Sequence, residues 1–346
     1  MSKRSKTSAV TASYSEVGID VSKDWLDVSH QRAGTGVKSG RFDNEAQGHR
    51  SLIRWLRKAS RGTSVRIIVE ATGTYHLDVS QALHEAGMAV MVINPRVARN
   101  FSQTLMQRTR TDLTAATSLR EYCARMEFTP WEPPRAQVRE LRAVGRRLQA
   151  LTEERTAERN RLHAVKVSRE HSEIVRRDLE LNIRHLTERM AALLEQAEVP
   201  IAADPELRRR YEQLQSVKGF GRKSAVCLLG ELAMLPADMA TKQWVAHSGL
   251  DPSEQSSGSS VQRRPRISKQ GNRHLRAALY MPALVAKQWD PNVRAFSQKL
   301  LAKKKAPLQI TVAVMRKLLH AIHGMFASGT NFDGEKFYRI PPQQAA

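Results

Sequence analysis

The chain has 346 residues, with 56 Lys and Arg against 34 Asp and Glu, a net charge of +22. The basic excess is spread along the chain, which favours an extended anionic partner, nucleic acid, over a small acidic ligand, and the length suits two domains of about 100–200 residues each. Cys123 and Cys227 stand without a CxxC or Cys/His cluster, which excludes a zinc site or disulfide framework.

The start, MSKRSK, has no apolar signal core behind it, and no later window is apolar for long enough to span a bilayer. A cytoplasmic protein without a membrane partner is expected, with residues 1–14 as a flexible basic arm. Residues 16–22 and 25–30 read as short strands, and RFDNE at 41–45 closes a third. The period then changes: 46–59 suits a helix, VRIIVE at 65–70 a buried strand, 75–86 a helix and AVMVIN at 89–94 another strand. This order predicts a mixed α/β layer fold. Helices follow at 96–107 and 113–125, and Pro130, Pro133 and Pro134 mark a linker.

From 137 to 196, Leu141, Val144, Leu148, Leu151, Leu162, Leu179, Ile183, Leu186 and Leu193 recur at three-and-four spacing. Two long helices are predicted, burying apolar stripes against each other or against another subunit as a coiled-coil arm. Beyond Glu206 the pattern is helical again, with a glycine turn in SVKGFGRKSA, a helix over 239–250, a Gly/Ser and basic loop over 253–271, and helices over 272–288 and 306–326. The expected boundaries are 15–128 for an α/β domain, 129–205 for linker and arm, 206–330 for a helical domain and 331–346 for a tail.

Asp20 follows the apolar Val17 and Ile19, Glu70 follows Ile67–Val69, and Asp112 follows a basic stretch. Carboxylates brought together from strand ends can hold divalent ions beside a phosphodiester, where one ion activates the nucleophile and the other steadies the leaving oxygen. Taken singly, such acids also cap helices; Asp112 competes with Thr111 as the cap of a helix beginning at Leu113. Gly219 and Gly221 permit a tight turn whose N–H groups can meet phosphate, although helix hairpins need glycine for packing too. Ser257 sits before Gly258 in a polar segment next to Arg263, Arg264, Arg266 and Lys269; a serine becomes a nucleophile only beside an activating group. The dispersed Trp residues read as packing, and His76 and His274 complete no metal set.

GIDVSK, VEATGTY, INPRVARNF, the TDxxxA segment, the glycine hairpin, HSGLDPSEQSSG and ISKQGNRHLRAAL occur in this order over nearly the whole chain. In that combination the chain resembles the DEDD transposases of bacterial insertion sequences, the bridge-RNA-guided recombinases. The resemblance implies a ribonuclease-H-like domain similar to Holliday-junction resolvases, with Asp20, Glu70 and Asp112 as the first three acids and magnesium ligands. The fourth acid falls at Ala115, whose side chain has no oxygen, so impaired cleavage is expected. Ser257 matches the covalent nucleophile, with Ser256 as the near-register alternative, acting in a composite site with the metal-binding domain. The glycine turn resembles a helix-hairpin-helix element in which Lys218 replaces the usual proline. Lys218, Gly219, Gly221, Arg222, Lys223, Arg263, Arg264, Arg266, Lys269, Arg273 and Arg276 are the expected nucleic-acid contacts. The implied partners are a noncoding guide RNA, donor and target double-stranded DNA, and further copies of the chain in a tetramer. A junction-resolving nuclease and a catalytically inactive scaffold or repressor are the competing readings.

Overall fold

The computed structural model describes residues 14–106, 111–168, 172–257 and 261–341, with backbone only over 254–257 and 261–265. The basic arm expected over 1–14 lies outside these residues, Tyr14 apart. The chain divides into two compact units, residues 1–133 and 134–346.

The first unit runs β1 (Ser15–Val21), β2 (Trp25–Arg32), β3 (Lys38–Asp43), α1 (Ala46–Ser60), β4 (Val65–Glu70), α2 (His76–Glu85), β5 (Ala89–Ile93), α3 (Pro95–Thr104) and α4 (Asp112–Arg125). Its sheet has the order β3-β2-β1-β4-β5, antiparallel among β1, β2 and β3 and parallel from β1 through β4 to β5. Because side chains alternate between faces along a strand, β1 sends Val17, Ile19 and Val21 into a core shared with Leu52 and Leu56 of α1 and Val79 and Leu83 of α2. On the other face Ile68 and Ile93 pack with Ala98 of α3 and Leu119, Tyr122 and Cys123 of α4. Gly18 faces α4, and a Cβ there would stand 2.1 Å from the Ala116 carbonyl oxygen and 2.3 Å from the Arg120 nitrogen. The bare backbone lets the helix lie directly on β1.

The second unit runs α5 (Ala136–Val167), α6 (Glu173–Ala203), α7 (Pro205–Ser216), α8 (Arg222–Leu232), α9 (Thr241–Ser248), β6 (Pro252–Ser257), β7 (Val261–Ile267), α10 (Arg273–Trp289), α11 (Pro291–Ala302), α12 (Pro307–Ser328) and α13 (Gly334–Phe337). Leu141, Leu148, Leu151, Leu186 and Met190 of the two long helices are buried with Leu214, Val226, Leu229, Leu279, Val314 and Leu318. Much of the apolar stripe is therefore spent inside the unit. The exposed large apolar side chains of these two helices, among the described residues, are Val167, Ile174, Val175 and Leu181 around the α5–α6 junction and Val199 towards the end of α6.

Three expectations need correction. Residues 253–271 are not simply a loop, since β6 and β7 form an antiparallel ribbon from Pro252 opposite Ile267 to Ser257 opposite Val261. Its strands, PSEQSS and VQRRPRI, carry no apolar alternation to announce them. The tail over 331–346 contains α13, whose Phe337 is buried against the helical core. Of the two turn glycines only Gly219 needs its freedom: its φ is +115°, and a Cβ would lie 2.5 Å from the Pro282 carbonyl oxygen. Gly221 has an extended φ of −78° as the N-cap of α8, with open space around it. Among the described residues no helix is long and apolar enough to cross a membrane.

Candidate active site

The acids of the first unit stand on the α4 face of the sheet. Asp20 of β1 pairs directly with Asp27 of β2, and Asp27 with Arg41 of β3. On the parallel side Ile19 pairs with Val69, so the next residues along, Asp20 and Glu70, lie side by side. Adjacent strands are about 4.8 Å apart. One line across the sheet therefore reads Arg41, Asp27, Asp20, Glu70, ending at Ile93 of β5, the partner of Glu70.

The start of α4 comes over this line. Thr111 is the N-cap, with its hydroxyl and that of Thr114 forming a capping box, so Asp112 is left as the first helical residue. Asp112 and Ala115 are three residues apart, hence on one side of the helix. Ala115, Thr114 and Ser118 line a pocket together with Glu70 and with Ala98, Arg99 and Ser102 of α3. A carboxylate at position 115 would enter the space that Glu70 borders. This is where the resemblance puts the fourth acid.

The electrostatics mark the line as unusual. Asp20 is pushed up to about 6 from 3.8, first by burial and then by the charges of Glu70, Asp112 and Asp27, against a lowering hydrogen bond from the Val21 backbone. Like charges directly opposite each other in a sheet are destabilising, so folding has concentrated negative charge at one place. Arg41 partly balances it: its Nε and Nη2 donate to the two oxygens of Asp27 at 3.0 and 2.8 Å, and Nη2 also reaches Asp112 at 3.2 Å. Sequence reasoning missed Asp27 and Arg41. The signal was the alternation in WLDVSHQR, which puts Asp27 on the face opposite Leu26 and Val28.

An all-carboxylate donor set suits a hard divalent ion such as Mg²⁺, and a raised Asp20 among like charges is a group that such an ion would relieve. Among the described residues, however, no three His, Cys, Asp or Glu side chains converge closely enough to hold one as they stand. The donor chemistry is that of a hard divalent ion.

In the second unit the serine ribbon is pinned at its base. The Ser268 hydroxyl donates to Asp251 at 2.6 Å and its N–H to the Asp251 carbonyl at 2.9 Å. Ser257 is the last residue of β6; its side chain, Gly258, and the side chains of Ser256, Arg263 and Arg264 lie outside the described residues. The ribbon leads into Asn272, which caps α10 and donates to Glu231 at 2.6 Å. Glu231 is buried, and Arg146 grips both its oxygens at 2.6 and 3.2 Å.

The expected basic contacts divide by what already holds them. Lys218, Arg266, Lys269 and Arg273 are exposed. Arg222 is clamped to Glu198 at 2.7 and 2.5 Å. Lys223 is half-buried, donates to Thr152 at 3.1 Å and is shifted down by burial. Arg276 donates to the Ser248 carbonyl at 2.8 Å.

Residues 17–166 match the DEDD IS110 family model described as "Transposase", and residues 211–298 match the model "Transposase IS116/IS110/IS902 family". The first match holds Asp20, Glu70, Asp112 and Ala115, the second Gly219, Ser257 and Arg273. The chain is 28% identical over 319 residues to the pilin gene-inverting proteins of Moraxella bovis and Moraxella lacunata, covering 92% of this chain and 97% of theirs. It is 26% identical over 122 residues, 35% of this chain and 29% of the other, to an uncharacterized 43.6 kDa protein of insertion element IS110 from Streptomyces coelicolor.

Proposed function

The chain belongs to the IS110 type of DEDD transposases, and from that premise we propose that it is an RNA-guided DNA recombinase held back at strand cleavage by Ala115. The observation that carries this reading is the line of carboxylates with Asp112 and position 115 brought over it by α4. The sheet order 3-2-1-4-5, antiparallel on one side of β1 and parallel on the other, supports a ribonuclease-H-like fold.

Asp20, Glu70 and Asp112 are the proposed ligands for divalent magnesium, which when bound supplies Lewis acidity at the scissile phosphodiester. Ser257 supplies the nucleophile: a bond forms from its oxygen to phosphorus as the deoxyribose hydroxyl departs. Attack by a hydroxyl of another strand then releases the serine and reseals the DNA. No net hydrolysis occurs, which suits cutting and rejoining such as the pilin gene inversion named for the Moraxella relatives. Base pairing by a noncoding RNA would choose donor and target, while Lys218, Arg266, Lys269 and Arg273 hold backbones without reading sequence. Two sites and several strand exchanges require several copies. A tetramer of two dimers is the proposed assembly, with the apolar Val167, Ile174 and Leu181 as a contact.

The test is a strand-transfer assay with copurified RNA, labelled donor and target DNA and Mg²⁺, using the Ala115→Asp protein. A DNA–protein adduct that survives denaturation and vanishes in Ser257→Ala is expected. An adduct undiminished by Ser257→Ala removes the serine step, and loss in Ser256→Ala alone moves it one residue. Cleavage that proceeds to free ends without an adduct would identify a junction-resolving nuclease instead.

A further inference from the structure

Asp27 is 8% exposed and is the carboxylate at the Arg41 end of the line, between Arg41 and Asp20. A buried carboxylate costs stability unless it is paired, and its partner Arg41 is bidentate, the geometry in which a guanidinium binds best. The same Nη2 that holds Asp27 at 2.8 Å holds Asp112 at 3.2 Å, although Asp112 belongs to α4 and is 71 positions away in sequence. The two ends of this bridge are unequal. The side chain of Asp27 is 11% exposed and that of Asp112 66%, and an ion pair so open to water is worth little. Arg41 is therefore anchored on Asp27 and holds Asp112 loosely.

Asp112 is also a proposed ion ligand. A guanidinium in contact with it and a divalent cation bound to it repel one another, so the two compete for its oxygens. We infer that Arg41, anchored by Asp27, is a resident counter-cation of the acidic site that holds Asp112 until a divalent ion displaces it. Both are positioning residues, not ligands. The inference rests on the reading of Asp20, Glu70 and Asp112 as ion ligands.

The measurement is Mn²⁺ affinity, by electron paramagnetic resonance of the free ion titrated into the full chain with Mn²⁺ alone as probe. Arg41→Gln should tighten binding about tenfold, within the range of ordinary coupling between sites. Arg41→Lys keeps a charge on Asp27 but lacks the fork that bridges two acids, so it should tighten binding by a smaller factor. It also serves as the folded control should Arg41→Gln melt early. A purely structural staple predicts the opposite, since loss of Arg41 would free Asp112 to wander and weaken the ion. Unchanged or weaker affinity in Arg41→Gln, or in Arg41→Lys where the glutamine variant does not fold, overturns the inference. Asp20→Asn separates this from the underlying reading: Mn²⁺ binding indifferent to Asp20→Asn removes the ligand assignment itself, and the inference with it.

Discussion

Asp20 is a half-buried carboxylate of the first unit and Glu231 a buried one of the second, and their surroundings treat them in opposite ways. Around Asp20, burial and three neighbouring acids all favour the proton. Around Glu231 burial also pushes upward, but hydrogen bonds from Arg146 and Asn272 and the charges of Arg142 and Arg146 outweigh it and hold the group below its usual range. Glu231 is satisfied by the fold, and it fastens the loop after the serine ribbon to α5 and α8. Asp20 is left wanting a cation. A buried acid whose needs the protein meets is architecture; one whose needs it leaves unmet points to a missing partner.

The largest expected effect comes from adding to the unsatisfied cluster. Ala115→Asp should raise the Mg²⁺-dependent strand-transfer rate by about 100-fold or more, since even outer-shell losses at metal sites cost roughly 10–100-fold. The comparison is rate against Mg²⁺ concentration on matched RNA, donor and target. Equal rates and equal metal requirement for both proteins would end the four-acid correspondence.

Breaking the satisfied acid should cost stability. Glu231→Gln leaves Arg142 and Arg146 without their carboxylate and should destabilise the second unit by about 3 kcal/mol, the lower end for a broken buried pair because both arginines are partly exposed. Thermal or urea unfolding reads this directly. A loss under about 1 kcal/mol would mean that Asn272 alone carries the contact.

Removing the unsatisfied acid should do the reverse, with a pH signature. The folded chain binds the Asp20 proton more tightly than the unfolded chain does, at about 6 against 3.8. Folding is therefore unpenalised by this group below about pH 4, loses stability as pH rises from about 4 to 6, and carries the full penalty above. Asp20→Asn should accordingly stabilise the metal-free protein at pH 7, by about 1–2 kcal/mol after allowing for solvent screening, and leave it unchanged at pH 4. Glu231 runs the other way: its contribution is present above the unfolded value of 4.5 and disappears as pH falls through the lower folded value. Melting curves of Asp20→Asn and Glu231→Gln between pH 4 and 7 should diverge from the parent in opposite directions.

The smallest effect extends the distinction to cations. Lys218→Ala, at an exposed position, should lower the salt-dependence slope of nucleic-acid binding by about one, whereas Arg222→Ala should change it less because Glu198 already holds Arg222. Equal slopes would show that the Glu198 clamp opens for the ligand.

Much of the first unit was legible because each of its signals is local. VRIIVE predicts the strand that forms at Val65–Glu70, and Asn94-Pro95 stops one element and caps the next. The acids at strand ends were visible for the same reason. Asp27 was not, because a lone acid inside a strand gains its meaning only from register: Asp20 on one side and Arg41 on the other are set by pairing, not by spacing. The ribbon of β6 and β7 escaped because both strands are polar, and α11 because Pro291, which starts it, also reads as a break. In the second unit charge alone does not show which basic side chains the fold already holds. Arg222, Lys223 and Arg276 look like nucleic-acid contacts in sequence, and their internal partners lie 24, 71 and 28 positions away.

Gly18 gives the site a dimension that no acid supplies. With no side chain between β1 and α4, backbone meets backbone, and the span from the strand carrying Asp20 to the helical turn carrying Asp112 and position 115 is set at its minimum. A single methyl group at Gly18 would act as a shim. It would lift α4, and Asp112 with it, away from the strand carrying Asp20 without removing a single carboxylate, and a pair of ions held about 3.5–4 Å apart, as proposed for this site, would tolerate little added width. The gauge of the cleft is thus written in a residue that touches neither ion nor nucleic acid, and it is kept by what that residue lacks.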